Sequence, residues 1–382
     1  MTATVEKPTW DKGLAKTVAA ETEMSFIDGE KGILEYVGID IDSLARNSSY
    51  EETVFLLWNR RLPKPAELAA FRDELRAEYG LPEGMWDLIG RMPKDAKPMD
   101  ALRTLVSALG LFDPEADDDT PEANERKAVR LVAKTPALIA NFDRHRKGKP
   151  FVKPDTGDTI AGSFLHMLNG AKPTDAVRKA LDVCLILHAD HGLNASTFAA
   201  RVTIATKSDL YSAMTTAVGT LKGPLHGGAN EEVMIMLREI GSLDRVEEYI
   251  KGRLARKELI MGFGHRVYKT VDPRATYLKT FAKQVATDTG NLPLYEMSQK
   301  IEGIMAREVG AKGIWPNVDF YSATTYHSIG LELDLFTPMF AMSRMAGWAG
   351  HCIEQLKDNR LIRPMALYVG PHGLTWTAPE SR

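Results

Sequence analysis

Beyond Ile41 this chain offers almost nothing to a β-sheet and a great deal to helices. Its apolar residues recur three and four apart, the spacing that gathers them on one side of a 3.6-residue turn. Val54, Leu57 and Trp58 follow Ser49-Tyr50-Glu51-Glu52 in this way until Leu62-Pro63 stops the run. Leu102, Leu105, Val106 and Leu109 make another stripe, closed by Gly110. The one strand-like stretch comes early: Ile27-Asp-Gly-Glu-Lys-Gly-Ile-Leu-Glu-Tyr36 carries an Asp28-Gly29 turn signal between short alternations. The sequence predicts an all-α protein with a short N-terminal β-hairpin, and its 382 residues suffice for one large domain or two.

Composition removes several function classes. With 48 basic and 51 acidic residues the formal charge is −3, so no bulk positive field argues for nucleic acid or an anionic membrane surface. No apolar run reaches the roughly 18 residues of a spanning helix. The N-terminus lacks the basic start and apolar stretch of a secretion signal, and the expectation is a soluble cytoplasmic protein. Cys184 and Cys352 both sit in apolar helical patterns, which reads as buried reduced thiols rather than a disulfide. Asp113–Glu125 reads as a solvated acidic loop entering a helix, and Arg144–Lys153 as a basic linker loop.

Several short segments carry side chains capable of chemistry. Leu221-Lys-Gly-Pro-Leu-His-Gly-Gly-Ala-Asn230 holds His226 in a glycine-rich turn ahead of a helix, with Asn230 suited to the N-cap. A nearby helix N-terminus favours an uncharged imidazole that can donate to a carbonyl oxygen; a water-facing turn histidine fits the segment equally well. Met261-Gly-Phe-Gly-His-Arg-Val-Tyr-Lys269 puts His265 in a second glycine loop, where a single histidine is more often structural. Asp272 as N-cap and Pro273 at the first helical position then start a helix with Arg274 in its first turn, facing where an anion can sit. This Gly-x-Gly is no dinucleotide fingerprint, since no strand leads into it and the third glycine is missing.

Trp315-Pro-Asn-Val-Asp-Phe-Tyr-Ser322 flanks Asp319 with apolar neighbours, which raise a carboxyl pKa and make a stronger base. Capping the next helix is the commoner use of such an aspartate. In Leu185-Ile-Leu-His-Ala-Asp-His-Gly-Leu-Asn194, His188 continues a core face and His191 comes at the helix end. A metal on this pair is disfavoured, because no third ligand follows at a recognisable spacing. Phe340, Arg344, Gly347 and His351 share a stripe of a helix opened by Thr337-Pro338. The glycine points to a guanidinium in a crowded place, against the more frequent snorkelling arginine. Arg363 lies in an extended C-terminal segment that no periodicity claims.

In this order and company, Gly-Pro-Leu-His226-Gly-Gly-Ala-Asn, Gly-Phe-Gly-His265-Arg-Val-Tyr with Asp-Pro-Arg274, and Pro-Asn-Val-Asp319-Phe-Tyr-Ser closely resemble the citrate synthase family. The Gly32–Ala45 region, Ser48-Ser-Tyr-Glu-Glu, His188-Ala-Asp-His191-Gly, Arg344 with Gly347-Trp348, and Arg363-Pro364 carry the resemblance over about residues 25–372. Val37 and Met365 depart from it, standing where many members have arginine.

The resemblance implies a multi-helical fold of two domains. Residues 1–218 plus 321–382 would form a large, dimer-forming helical domain, and residues 219–320 a small helical domain that carries catalytic loops and closes over the site. It implies condensation of acetyl-CoA with oxaloacetate to give citrate and coenzyme A. Asp319 would take the methyl proton, His226 would bond the thioester oxygen, and His265 would polarise the ketone. Arg274, Arg344 and His191 would hold oxaloacetate, and Arg363 would reach the neighbouring site of a homodimer. No metal or redox cofactor is implied, coenzyme A entering as the substrate thioester. Lys222, Lys257, Arg266, Lys269 and Lys312 flank the loops and are candidates for the coenzyme A phosphates, each equally readable as solvated charge. A 2-methylcitrate synthase using propionyl-CoA is the nearest rival; a non-catalytic helical ligand-binding subunit and a citrate-cleaving lyase module are more distant ones.

Overall fold

The computed structural model describes residues 11–14 and 16–382. Among them are sixteen α-helices and one three-stranded antiparallel sheet, ordered β1 (Ser25–Asp28), β2 (Ile33–Tyr36) and β3 (Ile39–Asp40). The expected hairpin is present with a short third strand added, but its turn differs. Asp28 pairs with Ile33 as the last rung of the ladder, so the connection is the four-residue loop 29–32 rather than a two-residue Asp-Gly turn. The Asp28 carboxylate accepts the N–H groups of Glu30 (3.1 Å) and Lys31 (3.0 Å) and holds that loop closed.

Helices begin where local chemistry permits. Ser49 caps Tyr50–Asn59 by accepting from Glu52 N–H, and Thr120, Thr159, Thr174, Asn194 and Asp209 cap later helices in the same way. Each cap satisfies an N–H group that close packing would otherwise strand. Two helices run through the middle. Asp175–His188 is buried from Ala180 onward, and Phe336–Lys357 is buried on nearly every side of its 22 residues. A helix apolar all round can only sit among others, and Phe336–Lys357 packs against Pro121–Arg146, Asp175–His188, Ala195–Ile204 and Leu210–Leu221. Fully buried side chains such as Trp348, Phe336 and Phe164 contribute roughly 1.5–3 kcal/mol each to this centre. Cys184 and Cys352 are buried free thiols, as the sequence suggests.

Two segments depart from their sequence reading. Asp113 is buried and ion-paired with Arg130 (2.8 Å), which also meets Glu115 (2.5 Å), so the acidic stretch is tied to the helix it precedes. Arg144 to Arg146 form the last turn of Pro121–Arg146 rather than a loop. Buried Arg144 donates to the carbonyls of Pro150 (2.6 Å) and Leu168 (3.1 Å), filling acceptors that a linker would leave to water. No helix of the described residues is long and apolar enough to cross a membrane.

Candidate active site

The floor of the site lies where Phe336–Lys357 crosses the end of Asp175–His188. Gly347 permits that crossing: a Cβ there would overlap Ala189 O and lie 2.7 Å from Asp190 Oδ1. Three residues earlier Arg344 is 1 % exposed, its Nε donating to His188 O (2.6 Å) and its guanidinium lying 4.8 Å from the Phe340 ring centre. It is no snorkelling arginine. No carboxylate lies within ion-pair distance of it among the described residues. Burial pulls its pKa down to about 10, with Asp190 opposing. Asp190 itself is spoken for, accepting from Ser25 Oγ (2.6 Å) and pairing with buried His351 (3.2 Å). His188 is core, as read: its Nδ1 meets Cys184 O (2.7 Å) and its ring packs on Phe340.

Arg274 is held differently. Asp272 caps its helix Pro273–Asp288 as expected, accepting from Arg274 N–H (3.0 Å). The same carboxylate takes Nε (3.0 Å) and Nη2 (2.8 Å) of Arg274 and the Val318 N–H (3.1 Å). One buried aspartate therefore ties the start of the Arg274 helix to the start of the Asp319 helix, Val318–Ser328. Burial opposes the Arg274 charge, but Asp272 more than reverses this and holds the pKa above its ordinary value.

The His265 loop is zipped to the approach of the Asp319 helix. Phe263 bridges Pro316, Gly264 N–H donates to Trp315 O (2.9 Å), and Asn317 N–H donates to Gly262 O (2.9 Å). Gly262 has φ +79° and a Cβ on it would meet Val233 at 2.7 Å and Phe320 at 2.8 Å, so no other residue fits. His265 Nδ1 accepts the N–H groups of Val267 (3.0 Å) and Tyr268 (3.1 Å). Backbone N–H groups can only donate, so this ring is neutral with its proton on Nε2. Burial, then Arg274, pushes its pKa down to about 4. His191, just past the Asp175–His188 helix, lies 5.4 Å from His265 between ring centres, and its Nε2 meets Tyr268 Oη (3.1 Å). Burial and Arg274 hold His191 well below its ordinary value.

His226 precedes a helix that starts two residues earlier than its sequence suggests. Ala229–Ile240 has Gly228 at the cap, which places Asn230 inside the first turn and buries it. The imidazole does not face water. Its Nε2 meets Ser196 Oγ (2.8 Å) and Ser196 N–H (3.2 Å), and Trp348 Nε1 donates to the same hydroxyl (3.1 Å). On these partners we assign Nε2 as acceptor and the ring proton to Nδ1. Burial, then Arg344, pushes the His226 pKa down to about 4.

Asp319 is not the cap of its helix. Asn317 takes that role, accepting from Asp319 N–H (3.0 Å), and the Asp319 carboxylate makes no hydrogen bond with any described residue. Burial raises its pKa to about 6, while Arg274 and Arg344 pull it down. The same two arginines act on the histidines, Arg344 on His226 and Arg274 on His265. Three stretches far apart in sequence thus carry side chains that feel the same pair of buried cations.

The remaining candidates lie outside this cluster. Arg363 is exposed and makes no ion pair with a described residue. Lys222 pairs with Asp100 (2.5 Å), while Lys257, Arg266, Lys269 and Lys312 are exposed and unpaired among the described residues. No group of three His, Cys, Asp or Glu side chains among the described residues is arranged to hold a metal. Nothing in the spacing singles out Ser196 or Trp348; Tyr268 sits inside the His265 motif, but only the fold shows that it reaches His191.

Known proteins match the chain over nearly its whole length. The family model described as citrate synthase, C-terminal domain, matches residues 13–365. Citrate synthase 2 of Bacillus subtilis is 51% identical over 372 residues, covering 97% of this chain and 99% of its own length. A 2-methylcitrate synthase of Mycobacterium tuberculosis is 43% identical, covering 96% and 92%. Among solved structures, a ternary complex of citrate synthase from Thermoplasma acidophilum with carboxymethyl coenzyme A and oxaloacetate superposes with a TM-score of 0.92 at 34% identity, covering 98% of this chain and all of that one. With agreement of this depth in sequence and backbone alike, the chain belongs to the citrate synthase family.

Proposed function

We propose that this protein condenses acetyl-CoA with oxaloacetate and water to give citrate and coenzyme A, acting in the cytoplasm as a homodimer. The observation that carries the proposal is Asp319: a carboxylate without a hydrogen-bond partner among the described residues, raised to about 6, and subject to the same two buried arginines that act on the neutral His226 and His265. Asp319 removes a proton from the thioester methyl group. A carboxylate is too weak a base to make a free enolate, so His226 donates from Nδ1 to the developing thioester oxyanion. His265 donates from Nε2 to the ketone oxygen of oxaloacetate, drawing electron density from the carbon under attack. Arg274, Arg344 and His191 hold the carboxylates and orient that carbon. Carbon–carbon bond formation leaves a citryl thioester, and water releases free coenzyme A. The thioester supplies the activation, so the chemistry calls for no metal or redox group.

Arg363 serves the partner subunit's site. Support for a dimer comes from the segment that carries it, where Leu361, Met365, Val369, Leu374 and Trp376 are all exposed along an irregular tail that a second copy can cover. Residues 219–320 act as the small domain and close over oxaloacetate, excluding water before enolisation. Exposed Lys257, Arg266, Lys269 and Lys312, with Lys222, offer charge to the coenzyme A phosphates. Thioester affinity measured with and without oxaloacetate tests the closure; equal values would sink it.

The relative named 2-methylcitrate synthase keeps propionyl-CoA in contention, since one methylene discriminates by only about 1–3 kcal/mol. Thiol release with oxaloacetate and each acyl donor decides between them. Faster turnover of acetyl-CoA, abolished in a folded Asp319→Ala, is the expected result. An unimpaired Asp319→Ala removes this residue from the mechanism.

A further inference from the structure

We propose that Gly29, in the β1–β2 loop, is a positioning residue for His265: it seats the Val267–Tyr268 peptide whose N–H fixes which ring nitrogen carries the proton. This deepens the reading in which His265 donates to the ketone, and rests on it.

The contact is one of excluded volume. A Cβ on Gly29 would overlap Val267 O and lie 2.9 Å from Val267 C and 3.1 Å from its Cγ1. Gly29 does not have a positive φ, so only this approach, not backbone conformation, bars a side chain. Its own carbonyl accepts Lys269 N–H (2.9 Å). Gly32 repeats the arrangement at the other end of the loop, where a Cβ would meet Thr270 Cγ2 at 2.7 Å and Val271 O at 3.0 Å. From another part of the chain, a Cβ on Gly313 would lie 3.0 Å from Lys269 O. The stretch from Val267 to Val271 is thus gripped by glycines from two remote parts of the chain.

Peptide planarity turns this grip into control of a proton. The Val267 carbonyl and the Tyr268 N–H belong to one rigid plane, so whatever presses on the oxygen moves the hydrogen. That hydrogen points at His265 Nδ1 (3.1 Å) beside the one from Val267 (3.0 Å). With both donors in place, Nδ1 is an acceptor and Nε2 keeps the proton. The displacement also reaches His191, whose Nε2 meets Tyr268 Oη (3.1 Å). A hairpin near the start of the chain therefore orients both histidines on the oxaloacetate side.

The test reads the imidazole directly, by long-range proton–nitrogen NMR of the full-length enzyme alongside steady-state kinetics. Wild type shows His265 as a single Nε2–H tautomer. Gly29→Ala loses that single state, and kcat/KM for oxaloacetate falls about a hundredfold while KM for acetyl-CoA stays within about twofold. Gly38→Ala is the control: it places a side chain at φ +76° in the β2–β3 turn, with nothing within 4 Å of its Cβ. It strains the same sheet, so Tm falls, while the His265 signal and the oxaloacetate kinetics stay as in wild type. If Gly29→Ala does not fold, Asp28→Ala loosens the loop without a clash and shows the same tautomer change to a smaller degree. The proposal is overturned if the folded variant keeps the Nε2–H state and wild-type oxaloacetate kinetics, or if Gly38→Ala reproduces the change. Wild-type turnover in His265→Ala would instead refute the catalytic role of His265 and leave the tautomer result standing.

Discussion

Arg274 and Arg344 are buried to almost the same degree, 2 % and 1 % exposed, and live in opposite electrostatic conditions. Arg274 is clamped by Asp272 through two side-chain bonds, which hold its pKa above the ordinary value. Arg344 has a carbonyl for a partner and a pKa drawn down to about 10. Removing an arginine from water is costly, and the first cost is offset within the chain while the second largely is not. A fold keeps such an unanswered charge where an incoming anion will answer it. Arg274 is therefore part of the frame, and on the proposed reading it serves the site as well, whereas Arg344 serves the site alone.

The largest expected effect follows from removing the clamped member. Arg274→Met leaves Asp272 buried without its counter-charge, and breaking a buried pair in this way costs about 3–5 kcal/mol of stability. Denaturant unfolding and oxaloacetate kinetics should both suffer. A variant as stable as wild type would break the comparison, because Asp272 would then not depend on Arg274.

Arg344→Met should separate the two losses. kcat/KM for oxaloacetate falls about a thousandfold, within the range of losing one partner of a desolvated charge pair, while unfolding stability is unchanged or rises. Calorimetry adds a second reading: oxaloacetate at about a hundred times its Kd stabilises wild type by about 2.7 kcal/mol, and the variant should lose that response. A stability loss matching that of Arg274→Met would show that Arg344 is structural too.

Local physics explains why much of this was legible in advance. Ser49 and the Asp272-Pro273 pair announce helix starts through residues no more than a few positions away, and both are observed as caps. The contrast between the arginines was only half legible: Asp272 stands two residues before Arg274 and reads as its helix cap, but nothing local says that the same carboxylate also takes the guanidinium, or that buried Arg344 finds only a carbonyl. Asn317 and Asp319 are both good caps by type, and the choice between them goes with the pairing of Phe263 with Pro316, which spans two distant loops. Asn230 failed as a predicted cap for a similar reason: the helix starts at Ala229, and Asn230 faces the interior. The docking of His226 on Ser196 joins residues 30 apart, beyond the reach of any helical or strand period. The motif resemblance supplied the cluster; only the fold supplied its hydrogen bonds.

The pH profile sharpens the comparison at Asp319, where both arginines converge. With its carboxyl near 6 and the two histidines near 4, protonation of Asp319 comes first as pH falls. kcat/KM for the thioester should drop about tenfold per pH unit below about 6, with no contribution from the histidines until about two units lower. A flat profile down to pH 5 would mean that the arginines hold the carboxyl lower than burial raises it.

The last effect is on stability and carries the opposite sign from the loss of activity. A carboxyl raised in the folded state favours the protonated form, so its stabilising contribution is present below the unfolded value of 3.8 and is lost as pH rises through about 6. At pH 7.5 the ionised group therefore costs stability. Asp319→Asn, which keeps the shape and discards the charge, should be more stable than wild type there, by up to about 3 kcal/mol, and no more stable at pH 3.5. It should also be inactive at both. Equal stability of the two proteins at pH 7.5 would place the full burden of the Asp319 charge on Arg274 and Arg344, making Arg344 less unanswered than its surroundings indicate.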